Sequence, residues 1–111
     1  MKLITKEIES KLRKNESLPE ELRMPHLKLF NPVGAGTWLV SEIESGSVED
    51  GTAILFGLAD LGHPEMGSFS LAELTSLRLP LGLSIERERS WRPEKTLIEY
   101  AQEARSQGYI A

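Results

Sequence analysis

The chain has 111 residues, with 17 Asp and Glu against 13 Lys and Arg for a formal charge of −4, 40% hydrophobic and 27% charged residues, 9 Gly, 6 Pro and no Cys. These values predict one domain over residues 1–111 with a core of its own, and they exclude a disordered chain, a disulfide scaffold, a thiolate nucleophile and a thiolate metal centre. No apolar run approaches the ~18 residues of a membrane span, and the charged start Met1–Ile8 does not read as a leader, so a cytoplasmic protein without membrane contact is expected.

Taken in chain order, Ile4, Ile8 and Leu12 share a helical face, and Thr5 can cap a helix running to about Lys14. A second short helix is expected after Ser17, because Pro19 suits a helix start and Glu20 and Glu21 suit a first turn. Both belong to a side layer. Met24-Pro25 ends the helical pattern, and the period then shifts toward two. Strands are predicted at His26–Phe30, Thr37–Ile43, Thr52–Leu58, Met66–Phe69 and Gly82–Glu88.

Between the first two strands lies Asn31-Pro32-Val33-Gly34-Ala35-Gly36. Asn31 before proline is pushed out of the helical region, and Gly34 and Gly36 allow positive φ or the close approach of another group. The two glycines do not make a phosphate cradle, since a strand follows them instead of a helix and the Lys and Ser/Thr of a P-loop are missing. The next connection, Glu44–Gly51, reads as a polar, mobile, acidic hairpin loop. Ser70-Leu71-Ala72-Glu73 spells a capping box for a two-turn helix ending at Leu77. A last helix is predicted to open at Arg92-Pro93-Glu94, with Leu97, Ile98, Ala101 and Ala104 as its apolar stripe and Gly108 as its stop. The fold class is α+β: a mainly antiparallel sheet of four to five strands, with N-terminal and C-terminal helices and one short internal helix.

Charge is distributed unevenly along the chain. From Leu29 to Leu77 there is no Lys or Arg, while Glu42, Glu44, Glu49, Asp50, Asp60, Glu65 and Glu73 all fall there. Without basic neighbours in sequence, these acids are either neutralised by the chain's ends or face outward and attract a basic partner.

Other residues offer alternatives. Asp60, His63 and Glu65 lie in one short turn and are the residue types of a divalent-cation or acid–base site, although zinc would need more His or Cys than the chain supplies. Glu86-Arg87-Glu88-Arg89 alternates in sign along a predicted strand, which puts Arg87 and Arg89 on one face. With Arg92 they are candidate anion ligands, and with Trp38, Phe69, Trp91 and Tyr109 as stacking surfaces a candidate nucleic-acid contact, although packing uses most aromatic residues of a small core and the acidic centre would repel the backbone. The serines lack a nucleophile-elbow context, and no residue set spells out a reaction.

Three ordered motifs carry a resemblance: Phe30-Asn31-Pro32-x-Gly34-x-Gly36-Thr37-Trp38, Gly67-x-Phe69-Ser70-Leu71-x-Glu73-Leu74 and Gly82-Leu83-x-Ile85-Glu86-Arg87. With the opening Leu3-Ile4-Thr5-Lys6-Glu7, they make the chain similar to domain-of-unknown-function family 2958, over roughly residues 1–12 and 28–93. The resemblance implies short bacterial proteins often carried on plasmids and other mobile elements, and no family-wide activity. Glu88 stands where the family often has Asp. Leu39 and Val40 replace more aromatic residues after the tryptophan, which weakens an aromatic-based binding role. In that setting the uneven charge points to a non-enzymatic binding protein without cofactor or metal, and to an acidic inhibitor of host defence of the anti-restriction or anti-CRISPR type. Its partner is expected to be a basic protein surface, such as a host nucleic-acid-targeting complex. The partner-binding residues are Glu44, Glu49, Asp50, Asn31, Gly34, Gly36 and Trp38, and the alternatives are a nucleic-acid module or a metal-dependent enzyme.

Overall fold

The computed structural model describes residues 2–111. Its elements are α1 (Lys6–Lys14), β1 (Leu27–Phe30), β2 (Thr37–Ser45), β3 (Ile54–Asp60), β4 (Pro64–Ser70), α2 (Leu71–Ser76), β5 (Glu86–Arg87) and α3 (Leu97–Gln107). The strands form one sheet in the order β4-β3-β2-β1-β5, with every neighbouring pair antiparallel. The architecture is therefore α+β, with five strands and N-terminal, internal and C-terminal helices, as the hydrophobic periods predict.

Alternation along β2 and β3 sends apolar side chains to both faces. Leu27, Leu29, Trp38, Val40, Ile43 and Leu55 meet Leu12 of α1 and Leu71 and Leu74 of α2 on one face. Leu39 and Leu58 meet Leu97, Ala101 and Ala104 of α3 on the other. The sheet is thus the middle layer of three. α1 forms where predicted, with the Ile8 N–H donating to the Thr5 hydroxyl at 3.2 Å. Glu7–Lys11 and Glu9–Arg13 pairs lie along its exposed side.

The bulges in β2 were not legible in the sequence. Its register with β3 slips between Val40 and Glu42 and again between Ile43 and Ser45, leaving Ser41 and Glu44 as the extra residues. The first bulge is held from both sides. The buried Asn15 amide, at the end of α1, donates to the Ser41 carbonyl at 2.8 Å and to the Met24 carbonyl at 2.9 Å. Across the sheet, Gly57 lies opposite Val40, and a Cβ there would stand 1.9 Å from the Leu39 carbonyl oxygen.

Four local expectations need correction. After Ser17 there is only a single 3-10 turn, Glu20–Leu22, because Pro19 and Pro25 bracket a segment too short for an α-helix. The predicted strand at Gly82–Glu88 shrinks to Glu86–Arg87, since Leu81 and Gly82 take φ of 64° and 71° and break the extended run. Arg89 therefore lies beyond the strand and not on a strand face shared with Arg87. The last helix opens after Thr96 instead of at Arg92-Pro93-Glu94, because Thr96 and Glu99 form a reciprocal capping box. At α2 only half of the predicted box forms, the Glu73 N–H donating to the Ser70 hydroxyl at 3.3 Å. Gly108 ends α3 at φ 91°, as predicted.

Candidate functional site

Topology decides which of the seven central carboxylates come together. Ser45, Ile54 and Ser70 pair across the sheet, so the β2–β3 connection and the start of α2 share one end of it. That end gathers Glu44, Glu49, Asp50 and Glu73, all exposed. None of the four is ion-paired among the described residues. The bulge at Glu44 brings its carboxylate to the Ser68 hydroxyl on β4.

The loop is a built structure. Asp50 accepts from the Thr52 N–H at 3.0 Å and from the Thr52 hydroxyl at 2.6 Å, and these bonds hold its carboxyl below the ordinary carboxylate range. The same hydroxyl accepts from the Ser47 N–H at 3.0 Å. Gly46 and Gly51 supply φ of 75° and 79°, which lets the chain close on itself. Beside the loop runs a cleft of about 600 Å³, where Glu49 and Asp50 share the wall with Lys2, Lys6 and Leu71. One flank of the acidic end is therefore shaded by the chain's N-terminal segment.

Of the other central acids, Glu42 and Asp60 are occupied within the fold, while Glu65 is exposed and has no ion pair among the described residues. Glu42 pairs with Arg23 at 2.8 Å, both side chains only 17% exposed, so the N-terminal segment does neutralise one of them. Asp60 accepts from the Gly62 N–H at 2.9 Å and from the Ile110 N–H at 3.0 Å, tying the C-terminal tail to the end of β3. Glu65 lies opposite Ala59 while Asp60 lies opposite Pro64, so the two carboxylates belong to opposite faces of the sheet. Asp60, His63 and Glu65 do not converge, and no group of three such residues that could hold a metal forms among the described residues.

The Asn31–Gly36 turn sits at the other end of β2, roughly 25 Å from the acidic loop at ~3.3 Å per residue. Asn31 closes it alone. Its amide donates to the Ala35 carbonyl at 3.1 Å, its side-chain oxygen accepts from the Val33 N–H at 2.9 Å, and its backbone N–H donates to the Gly36 carbonyl at 2.9 Å. Gly36 has φ 137°, and a Cβ on it would come within 2.9 Å of the Trp38 ring. Gly34 is not in the positive-φ region and has only ordinary contacts. Trp38 is 5% exposed, so a partner would meet this turn through Val33, Gly34 and Ala35 and not through the indole. The seven residues named for partner binding thus lie at two ends of the sheet.

Arg87, Arg89 and Arg92 do come together. They line a groove of about 180 Å³ beside α1, β1 and the segment after β5, with Lys11, His26 and Trp91. The sequence pattern had no signal for Lys11 or His26, which arrive from other elements.

Over residues 3–111 the chain matches the model of a family described as "Protein of unknown function (DUF2958)", and it belongs to that family. The match extends past the three motifs to take in α3 and the C-terminal tail. No curated protein and no solved structure matches the chain. No helix is long and apolar enough to cross a membrane among the described residues.

Proposed function

We propose that this protein acts by binding, without chemistry of its own, and that its acidic end docks on a basic protein surface. The observation that carries this reading is the gathering of Glu44, Glu49, Asp50 and Glu73 at one end of the sheet, around a loop held by its own hydrogen bonds and free of ion pairs among the described residues. Carboxylates on a pre-shaped loop can steer a cationic partner without reorganising the sheet. A surface built to hold nucleic acid is one kind of basic partner. In a mobile-element setting, that description fits host restriction or CRISPR machinery.

The test is association kinetics between the purified protein and a partner recovered by pull-down. Changing Glu44 and Glu49 to Gln and Asp50 to Asn should slow association about tenfold at low salt while leaving dissociation nearly unchanged, because surface charges act chiefly on the on-rate. The wild-type rate should fall as salt shortens the Debye length to about 8 Å at physiological ionic strength. Wild-type on-rates in the triple variant, or a partner that proves to be nucleic acid, would overturn the reading.

A further inference from the structure

The groove at the β5 edge has the opposite character from the acidic end. Four permanent cations line it, Lys11, Arg87, Arg89 and Arg92, against two carboxylates, Glu7 and Glu88. Glu7 is paired with Lys11 at 3.5 Å, and Glu88 accepts from the Ser90 hydroxyl at 3.3 Å. No carboxylate among the described residues pairs with any of the three arginines. Like charges gathered in one groove repel, so the convergence of three arginines with no carboxylate paired to any of them among the described residues is informative.

Two of the arginines are also held in place. One terminal nitrogen of Arg87 donates to the Lys2 and Leu3 carbonyls, and one of Arg92 donates to the Arg89 and Trp91 carbonyls. Their remaining N–H donors, and all those of Arg89, have no protein acceptor among the described residues. Fixed guanidinium forks with free donors match an oxyanion in charge and shape.

We propose that this groove binds a compact phosphate group, as free phosphate or a phosphomonoester. Its 180 Å³ is below the ~300 Å³ at which drug-sized ligand sites begin, so it suits one phosphate and a small substituent. A polyanion fits poorly. Glu7 and Glu88 stand in the same walls, and the chain carries a net −4. Trp91, half-buried, lines the groove beside the arginines and can report its occupancy.

The experiment is a titration of the wild-type protein followed by NMR, reading the Trp91 indole and the arginine side-chain signals. The probes are inorganic phosphate, phenyl phosphate and a short single-stranded oligonucleotide, each at constant ionic strength against sodium chloride. Saturable shifts with both small phosphates are expected, and a tighter response to phenyl phosphate would assign the natural ligand to the esters. Arg89→Ala and Arg92→Gln should each weaken binding about tenfold, equivalent to 1.4 kcal/mol, with the rest of the spectrum unchanged. Among the described residues the Arg89 side chain has no hydrogen bond or ion pair to lose, so its variant tests the site without risking the fold. Shifts that do not saturate, that chloride reproduces, or that survive both variants would overturn the proposal. Preferential binding of the oligonucleotide would also overturn it, in favour of a nucleic-acid contact.

Discussion

β2 runs between two connections built from similar parts and put to different ends. Each is closed by a side chain that bonds its own backbone, Asn31 at one end and Asp50 at the other, and each uses glycine at positive φ. The Asn31–Gly36 turn folds onto the core through Trp38, whereas the Ser45–Thr52 loop keeps its carboxylates in solvent. Self-bonding polar side chains therefore do not by themselves mark a functional loop. The distinction lies in what the neighbouring strand residue does: Trp38 packs inward, while the bulge at Glu44 turns a charge outward.

The largest expected effect lies midway between the two ends. Gly57→Ala should destabilise by about 3 kcal/mol or more in denaturant unfolding, because its Cβ would enter the Leu39 carbonyl and neither backbone can yield without undoing the bulge. A loss under about 1 kcal/mol would show that the two halves of β2 adjust independently of their shared centre.

Next comes the core-facing turn. Gly36→Val should cost about 2–3 kcal/mol, combining a strained φ with contact against the Trp38 ring, while Gly34→Val should stay within about 0.5 kcal/mol. Equal effects at the two glycines would remove the claim that Trp38 is what makes this turn structural. Asn15→Ala, which strips the donor from the buried Ser41 carbonyl at the first bulge, should cost about 1–3 kcal/mol by thermal or chemical unfolding.

The smallest effect belongs to the solvent-facing loop. Asp50→Ala should lower the melting temperature less than Gly36→Val does, and the difference from wild type should depend on pH. Asp50 has its pKa lowered in the folded state, so its contribution is full above the ordinary value of 3.8 and disappears as pH falls through the lower folded value. Melting curves of the two proteins should converge in that acid range. A constant gap at all pH values would mean that the loop is held by Thr52 and Ser47 without the carboxylate.

By itself the sequence determined whatever rests on local chemistry and periodicity. The Thr5 cap, the shift to a period of two after Pro25, the two-turn helix after Ser70 and the stop at Gly108 all follow from backbone preferences that operate within a few residues. So did the uneven charge and the turn at Asn31. Proline suits a first turn and so places the start of the last helix too early, at Arg92-Pro93-Glu94, whereas the reciprocal bonds of Thr96 and Glu99 open the helix after Thr96.

Only the tertiary structure decided the sites. A bulge arises from the fit between two strands, and Ser41 and Glu44 look like any other β2 residues until Gly57 and Asn15 are brought against that strand. The pairing of Glu42 with Arg23, the separation of Asp60 from Glu65 and the meeting of Lys11 and His26 with three arginines join residues from different elements. Charge counted along the chain measures an average field. Whether a given carboxylate is neutralised or faces a partner depends on distances of a few ångströms, which the fold alone sets.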